Sequence, residues 1–372
     1  MSQRKVRVAL LFGGRSGEHA ISAATAAGVL KAIDRDKYEV LPVGITRDGR
    51  WVVASDDPAV WELRSDRLPE VTAAAGSEVV LSSAADGPQL QVLAPGAVPE
   101  VLSQVDVVFP VLHGPFGEDG TVQGLLELAD VRYVGSGVLA SAVGMDKHYM
   151  KLVCAAHGLP VGPSVVVAPR DWPQRRDDVV ARVGQLRLPV FVKPARAGSS
   201  LGVTRVDDLA DLERAVEDAQ QHDPKVIVEE GIEGREIECG VLGGRGDAPP
   251  RASVPGEIVV DHAARDFYDF EAKYIDEGPV RLETPADLPD EVADEVRDVA
   301  VRAFEAIGAE GIARVDVFVT PEHRVVVNEI NTMPGFTPIS MYPRMWEASG
   351  VSYPELIDEL VQLALERRTG LR

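Results

Sequence analysis

Strand-like and helix-like segments alternate through the first third of the chain, and this alternation restricts the fold more than any other feature. Apolar residues 6–12 predict a buried strand, an Ala-rich helix follows over about 22–33, and residues 38–45 predict a second strand. A third strand at 106–112 leads into another helix. Residues 70–100 are rich in Ala, Ser, Gly and Pro and are interpreted as a peripheral insertion whose role the sequence does not indicate. Because strands that alternate with helices form parallel sheets, we expect an α/β domain with ligand loops at the carboxyl ends of its strands.

Composition argues against two classes of partner. The chain has 38 basic and 59 acidic residues, a net charge of −21, which disfavours binding to a nucleic-acid backbone. No stretch approaches the roughly 20 apolar residues that a membrane span needs. The two cysteines, Cys154 and Cys239, lack metal or redox spacing. We therefore expect a cytoplasmic protein with free thiols, no membrane contact and no nucleic-acid partner.

The strongest chemical signal is a predicted hairpin near the C-terminus. Residues 313–319 and 325–331 are both strand-like and are joined by a short turn. If the hairpin folds about the midpoint of this turn, Asp316 lies directly opposite Glu329. Like charges across a strand pair are destabilising unless a cation neutralises them, and divalent cations favour oxygen ligands. The register therefore predicts a metal site on one face of the hairpin.

Two further polar residues belong to the same face. Asn331 follows Glu329 by two residues and would supply a third oxygen, and Arg314 precedes Asp316 by two. A cation site with an arginine beside it suits nucleotide phosphates and a developing negative charge. The alternative is a solvated hairpin face with an ordinary Arg–Asp pair.

Two segments in the middle of the chain suggest a nucleotide. Glycines and serines at 194–202 join two strands next to Lys193, and their backbone N–H groups could surround a phosphate. The Gly-Lys-Ser/Thr ending of a Walker loop is absent, so a flexible hairpin loop is the alternative. Further on, Glu229 and Glu236 flank a turn between two strands and could hold a ribose and an adenine amine. A solvated acidic turn is the alternative there.

Two loops of the first third suggest a substrate. The loop after the first strand contains Gly13 and Gly14, but its pattern does not match a dinucleotide fingerprint, and no acidic residue ends the second strand. Glu18 at the end of this loop instead suggests a site for a substrate amine. His113 begins a loop at the carboxyl end of a strand, where binding residues collect, although a lone histidine is more often structural.

Together these segments resemble the ATP-grasp superfamily and, within it, the D-alanine–D-alanine ligase family. The matching motifs run in order through nearly the whole chain: Phe12-Gly-Gly-x-Ser-x-Glu-His19, His113-Gly-Pro-x-Gly-Glu-Asp-Gly120, Met145-Asp-Lys147, Lys193-Pro-Ala-Arg-x-Gly-Ser-Ser200, Phe267-Tyr-Asp-Phe-Glu-Ala-Lys-Tyr274, Arg314-x-Asp316, Glu329-x-Asn331 and Met333-Pro-Gly-Phe-Thr337. The resemblance implies a mixed α/β ATP-grasp fold. It also implies an N-terminal substrate-binding domain at 1–140, a central ATP-grasp subdomain at 141–235, and a C-terminal subdomain with the metal site at 236–372.

The resemblance assigns binding roles to these positions. The ligands of two Mg²⁺ or Mn²⁺ ions would be Asp316, Glu329 and Asn331. The residues around ATP would be Lys147, Lys193, Ser199, Ser200, Glu229, Glu236, Lys273 and Asn328. The two D-alanine molecules would be bound by Glu18, His113, Lys273, Arg314 and Ser340. A homodimer is the expectation for this family.

Catalytic roles follow from the same resemblance. Arg314 and the Gly335 backbone would form an oxyanion site, while Glu18, Ser199 and Tyr274 would form a network that closes a loop at about 265–278. ATP would phosphorylate the first D-alanine to an acyl phosphate, which the amine of the second attacks. Closure would keep water off this intermediate. No side chain is identified as the base for the attacking amine.

Two alternative functions are considered. In family members that form an ester with D-lactate, the position of Tyr274 often carries Phe, so Tyr favours the dipeptide of cell-wall (peptidoglycan) precursor synthesis. The other alternative is a regulator of the same fold that binds ATP without catalysis. A protein that only binds has little need for Arg314 and Asn331, which favours an ATP-dependent ligase.

Overall fold

The first part of the protein is an α/β domain. The structure is a computed structural model that describes residues 4–64, 67–84, 87–93, 100–198, 201–260 and 280–370. The elements of this part are β1 Val6–Gly13, α1 His19–Ala32, β2 Tyr38–Ile45, β3 Trp51–Val53, β4 Val79–Ala84, β5 Gly87–Val92, β6 Glu100–Gln104, β7 Val107–Pro110, α2 Thr121–Leu128 and β8 Arg132–Tyr133. The predicted parallel sheet is confirmed: β2, β1, β7 and β8 run parallel, and β3 joins the β2 edge antiparallel.

Strand β1 is buried on both faces, as parallel strands between two helix layers usually are. Leu10 and Phe12 pack in a cluster with α1, and Ala9 and Leu11 pack on the other side with α2. Helix α1 begins at His19, three residues earlier than the sequence indicated. Because β1 and β7 are parallel neighbours, the loops that follow them lie at the same edge of the sheet. Ligands bind at this edge in such folds.

Part of the segment that the sequence left unassigned forms a small sheet. β4, β5 and β6 pair antiparallel in that order. Val79 and Leu90 are buried in the same cluster as Leu11 of β1, so the small sheet extends the hydrophobic core of the first domain.

The middle of the chain forms a four-stranded antiparallel sheet, in the order β11-β10-β12-β9. Its elements, with the two helices that precede it, are α3 Val138–Met145, α4 Lys147–Ala156, β9 Ser164–Val167, α5 Asp171–Val183, β10 Val190–Pro194, β11 Thr204–Val206, α6 Leu212–Gln220 and β12 Val226–Glu230. Val190 and Val192 pack with α5 and α6. Because side chains alternate along a strand, Lys193 of β10 and Glu229 of β12 point away from the helices.

The last part contains a larger sheet in the order β16-β15-β13-β17-β18, with β14 also paired to β13. Its elements are β13 Arg235–Leu242, β14 Arg251–Ala252, β15 Gly256–Val260, β16 Val280–Glu283, α7 Asp290–Ala306, β17 Ile312–Val319, β18 Val325–Asn331, α8 Met341–Ala348 and α9 Tyr353–Glu366. The predicted amphipathic helix is α7, and its buried stripe covers one face of this sheet at Cys239, Val315 and Val317. The opposite face carries the polar residues of the site.

The closing helix α9 packs against the first domain. Leu356 and Leu360 lie in the cluster that contains Phe12, and the hydroxyl of Tyr38 donates to Asp358 at 2.6 Å. The domain boundaries at 140 and 235 stay predictions. Over the residues that the structure describes, no helix combines the length and apolarity required to cross a membrane.

Candidate functional site

The C-terminal hairpin places Asp316 directly opposite Glu329, as the sequence predicted. The strand pairing between the turn and this residue pair differs from the predicted one. Next to the turn, Val317 pairs with Val327, which is one residue out from the predicted register, and an irregularity between Asp316 and Val317 corrects it. Asn328 is the extra residue of this bulge. Bulges redirect side chains next to active sites, and here the bulge brings the two carboxylates together.

Arg314 connects the carboxylates of this face. Its Nε and Nη2 atoms each donate to Asp316 at 2.6 Å, and Nε also lies 3.1 Å from Oε2 of Glu238. Asn331 lies opposite Arg314 and donates through Nδ2 to Asp316 at 2.9 Å. Burial disfavours a charged guanidinium, but Asp316 and Glu238 outweigh it, so the pKa of Arg314 is raised well above its ordinary value. Arg314 therefore stays cationic.

The donor chemistry of the hairpin fits a divalent cation. Two carboxylates face each other across neighbouring strands with an amide beside them, an oxygen-rich set of the kind that Mg²⁺ and Mn²⁺ accept. Within the described ranges, no cluster of three or more His, Cys, Asp or Glu residues suited to a metal ion occurs. The predicted ligand set has two such residues and Asn331, so the metal site stays a prediction with compatible geometry.

Lys147, the first residue of α4, connects the middle part of the chain with the last part. Its Nζ atom donates to the carbonyl of Ala197 at 2.9 Å and lies 3.3 Å from Oε2 of Glu329. Asp146 caps the helix by accepting from backbone N–H groups, and Lys225 pairs with this carboxylate at 2.8 Å. The cap fixes where α4 begins, and therefore where the Lys147 ammonium lies between the glycine loop and the hairpin.

A second group of charges lies on the central sheet. Glu229 is buried between two lysines, with Lys193 Nζ at 2.6 Å and Lys151 Nζ at 2.8 Å from its oxygens. Burial alone would raise the pKa of Glu229, but the two ammonium groups outweigh it and lower the pKa to about 2. Glu229 is therefore an ionised acceptor at the edge of a cationic site.

The substrate loops of the first domain converge on Glu18 and His113. A Cβ placed on Gly114 would lie 2.6 Å from Oε2 of Glu18, and one on Gly198 of the central glycine loop would lie 3.4 Å from the same atom. Buried His113 contacts the Met333 carbonyl through Nδ1 at 3.2 Å. Desolvation lowers the pKa of His113, so the ring is neutral. Residues from all three parts of the chain thus lie close together around Glu18 and His113.

The loop after β18 is fixed by an aromatic anchor. Phe336 is buried against Phe109, Tyr342 and Tyr353, and its carbonyl accepts from the Tyr353 hydroxyl at 2.7 Å. This anchor holds the neighbouring Gly335, which is partly exposed. Ser340 precedes α8, and its hydroxyl accepts from the Thr337 N–H at 3.2 Å.

Several predicted site residues are not placed with the others. Ser199, Ser200, Lys273 and Tyr274, together with the predicted loop at 265–278, lie outside the described residues. Glu236 is exposed on β13. Burial alone would lower the pKa of Lys193, but Glu229 outweighs it and raises the pKa, and Glu236 makes a smaller contribution in the same direction. Asn328 is half-buried in the bulge. Their roles stay predictions.

Three residues of the site were not assigned from the sequence. Lys151 lies one helical turn after Lys147, so i,i+4 spacing was its signal. Glu238 follows Glu236 by two residues in a strand and therefore shares its face. Glu118 belongs to the motif that begins at His113. Its Oε2 accepts from the Gly114 N–H at 2.6 Å, and burial, with Glu18 nearby, raises its pKa to about 8.

Known proteins resemble the chain over its whole length. Residues 7–136 match the family described as D-ala D-ala ligase N-terminus, and residues 153–362 match D-ala D-ala ligase C-terminus. The chain is 62% identical over 377 residues to the D-alanine--D-alanine ligase of Kineococcus radiotolerans, with 100% of each chain covered. It is 59% identical over 368 residues to that of Arthrobacter sp., with 99% of this chain and 96% of the relative covered.

Solved structures agree with these relatives. The D-alanine-D-alanine ligase from Coxiella burnetii is 36% identical, with a TM-score of 0.81 and coverage of 98% of this chain and 95% of its own. The VanG D-Ala:D-Ser ligase from Enterococcus faecalis is 33% identical, with a TM-score of 0.82 and coverage of 97% and 100%. The predicted mixed α/β ATP-grasp fold is thereby confirmed.

Proposed function

Because this chain belongs to the D-alanine–D-alanine ligase family, we propose that it joins two D-alanine molecules at the site around the C-terminal hairpin, with cleavage of ATP to ADP and phosphate. The product, D-alanyl-D-alanine, is a precursor of peptidoglycan. The observation that carries the proposal is the direct opposition of Asp316 and Glu329, with Arg314 bonded to Asp316 and Lys147 beside Glu329.

The hairpin is the proposed metal-phosphate site. Asp316, Glu329 and Asn331 would hold two Mg²⁺ or Mn²⁺ ions, which when bound offset phosphate charge. Ion pairs with Arg314 and Lys147 support this assignment, because they show that the two carboxylates recruit positive charge. Lys147 would approach the phosphates.

The central sheet is the proposed nucleotide site. Lys193 would approach the phosphates together with Lys147, while Glu229 would accept from the adenine amine or ribose. Its low pKa supports this role, because an ionised carboxylate accepts hydrogen bonds strongly. Glu236, Ser199, Ser200, Asn328 and Lys273 complete the proposed ATP-binding set.

Substrate binding is proposed for the edge between the first domain and the loop after β18. Glu18 would hold the ammonium of the first D-alanine with His113 beside it, while Ser340 and Lys273 would take the carboxylate of the second. A carboxylate oxygen of the first D-alanine would accept the γ-phosphoryl group and release ADP. The amine of the second would then attack the acyl carbon, lose a proton and expel phosphate.

Arg314 and the Gly335 backbone N–H are proposed to stabilise the oxyanion of the tetrahedral intermediate. Preorganised donors of this kind contribute strongly where water is excluded. The ion pairs on Arg314 and the buried anchor at Phe336 hold both donors in place before substrate binds, which supports the role. Tyr274, with Ser199 and Glu18, would complete the network that closes the site.

The two alternative functions are not favoured. The relatives at 59–62% identity are named D-alanine--D-alanine ligases, which favours catalysis and the dipeptide over a regulator or a D-lactate ester. A ligase with a third acceptor, the D-Ala:D-Ser ligase, is a neighbour at 33% identity. The D-serine neighbour nevertheless has a TM-score as high as that of the D-alanine neighbour, so the fold does not by itself select the acceptor. Side chains at the second D-alanine site would do so.

A homodimer and a cytoplasmic location complete the proposal. An apolar patch on α2 and α3 supports self-association, because Leu128 is 86% and Leu139 74% exposed, with Leu125 and Val138 beside them. Leu128→Asp should then shift the protein from dimer to monomer in light scattering. A monomeric wild type would contradict this part of the proposal.

The cysteines support the cytoplasmic location. Both are buried free thiols, which suits a reducing compartment.

Substitution of the two facing carboxylates tests the proposed site. Asp316→Asn and Glu329→Gln should each lower D-alanine-dependent phosphate release at least about 100-fold, the upper end of what loss of an outer-shell partner of a metal costs. Glu295→Gln on the exposed face of α7 is the matched control and should leave the rate unchanged. Folded variants of Asp316 and Glu329 with full activity would overturn the site.

A further inference from the structure

Glu238 is a buried carboxylate next to the proposed metal ligands, and its ion pair with Arg314 has so far been considered only as one of two that hold the arginine before substrate binds. It is 5% exposed. β13, β17 and β18 are neighbours, and Glu238, Asp316 and Glu329 stand opposite one another in a single row across them. Three carboxylates in a row would repel one another strongly without a fixed cation among them. Arg314 lies between the first two.

Arg314 is shared unequally between these two carboxylates. The Asp316 carboxylate accepts hydrogen bonds from both Nε and Nη2 of Arg314 at 2.6 Å, whereas Oε2 of Glu238 lies 3.1 Å from Nε. In this arrangement the guanidinium covers the Asp316 oxygens that a metal ion would need. A divalent cation at Asp316 would also repel the guanidinium. Metal binding would therefore require the Arg314–Asp316 contact to loosen.

Glu238 can then replace Asp316 as the carboxylate partner of Arg314. A buried arginine that loses its carboxylate partner leaves an uncompensated charge, which is strongly unfavourable. Glu238 is close enough to accept the guanidinium without moving it far from the hairpin. The arginine would remain beside the reacting atoms, where its proposed task is to stabilise the oxyanion.

We propose that Glu238 is a positioning residue that holds Arg314 when a divalent metal ion takes the oxygens of Asp316. The inference rests on the proposed function, because it assumes that Asp316 is a metal ligand. It assigns Glu238 two effects: it makes Asp316 available to the metal, and it fixes Arg314 for the transition state. Both effects require a carboxylate that reaches the guanidinium.

Direct Mn²⁺ binding, measured by the electron paramagnetic resonance signal of free Mn²⁺ in the presence of ADP, tests the first effect. Glu238→Gln leaves Asp316 as the stronger partner of Arg314, so Mn²⁺ affinity should fall about tenfold, as for other outer-shell partners. Glu238→Asp keeps the negative charge but shortens the reach, and it should weaken Mn²⁺ binding by a similar factor.

The control is Glu257→Gln. Glu257 is also buried, on neighbouring strand β15, and it pairs with Arg235 at 2.5 Å. This variant loses a comparable ion pair away from the hairpin, so its thermal stability should fall while its Mn²⁺ affinity stays that of the wild type. Circular dichroism confirms that each variant is folded.

Steady-state kinetics test the second effect. At saturating metal, Glu238→Gln should lower kcat about 10- to 100-fold through the misplaced Arg314, with the KM for ATP unchanged. A purely structural role would lower the melting temperature and leave kcat of the folded enzyme intact, which would overturn the inference.

The Mn²⁺ titration distinguishes a failure of the inference about Glu238 from a failure of the proposed metal site. If Asp316→Asn abolishes Mn²⁺ binding while both Glu238 variants bind like the wild type, the inference about Glu238 is wrong and the proposed function stands. If Glu238→Asp alone binds like the wild type, long-range charge explains Glu238 and positioning is wrong. If Asp316→Asn binds Mn²⁺ as well as the wild type, the proposed metal site itself is wrong.

Discussion

The Nζ atom of Lys193 lies 2.6 Å from Oε2 of Glu229, and Lys151 lies 2.8 Å from the other oxygen of the same carboxylate. One buried anion is thus held between two cations, the partly buried Lys193 of a strand and the buried Lys151 of a helix. The arrangement joins α4 to the central sheet before any nucleotide is present, and it places the acceptor of the proposed adenosine site in advance.

Glu229→Gln should destabilise the protein in a pH-dependent way. At pH 7 the substitution leaves two ammonium groups without their anion, and the free energy of unfolding should fall by about 3–5 kcal/mol. The pKa of Glu229 is lowered from 4.5 to about 2, so its contribution is complete above 4.5 and is lost as pH falls toward 2. Urea unfolding at pH 7, 5 and 3.5 should show wild type and variant converging in acid. A constant difference would contradict the ion pairs.

Glu118→Gln should stabilise the protein, whereas Glu229→Gln should destabilise it. Burial and Glu18 raise the pKa of Glu118 from 4.5 to about 8, so the folded protein keeps a proton that the unfolded chain has lost. Wild-type stability should therefore decrease as pH rises from 4.5 to 8. Glutamine mimics the protonated form, so the variant should gain stability relative to the wild type between pH 5 and 9. Glu347→Gln, on the exposed side of α8, is the control, and parallel melting curves for Glu118→Gln would refute the prediction.

Gly114→Ala should damage binding of the first D-alanine. The added Cβ would lie 2.6 Å from Oε2 of Glu18, which must then move, and kcat/KM for D-alanine should fall about 10- to 100-fold. Gly158→Ala is a matched control, since both glycines have φ +74 but nothing lies within 4 Å of the Cβ at Gly158. Equal losses in the two variants would attribute the effect to backbone strain instead of Glu18.

Strand pairing could be derived from the sequence because it depends on local periodicity. Alternating apolar residues identified β17 and β18, and turn symmetry placed Asp316 opposite Glu329. The bulge at Asn328 could not be derived, because an extra residue in one strand leaves no period in the sequence. The correct pairing arose from a turn offset by one residue and a bulge that restores the register.

Long-range ion pairs could not be predicted from the sequence, for a different reason. The contact of Lys151 with Glu229 joins residues from a helix and a strand that meet only after the sheet has folded. Glu238 appeared equivalent to any strand residue until β13 was known to lie beside β17. Its pairing with Arg314 depends on strand order, and no local pattern encodes strand order.

Phosphate release from ATP by the purified protein tests the central claim most directly. With Mg²⁺ and ATP, D-alanine should stimulate release, L-alanine and D-lactate should not replace it, and mass spectrometry should detect one D-alanyl-D-alanine for each phosphate. Release that is independent of D-alanine, or mainly ester in a mixture of D-alanine and D-lactate near neutral pH, would contradict the account.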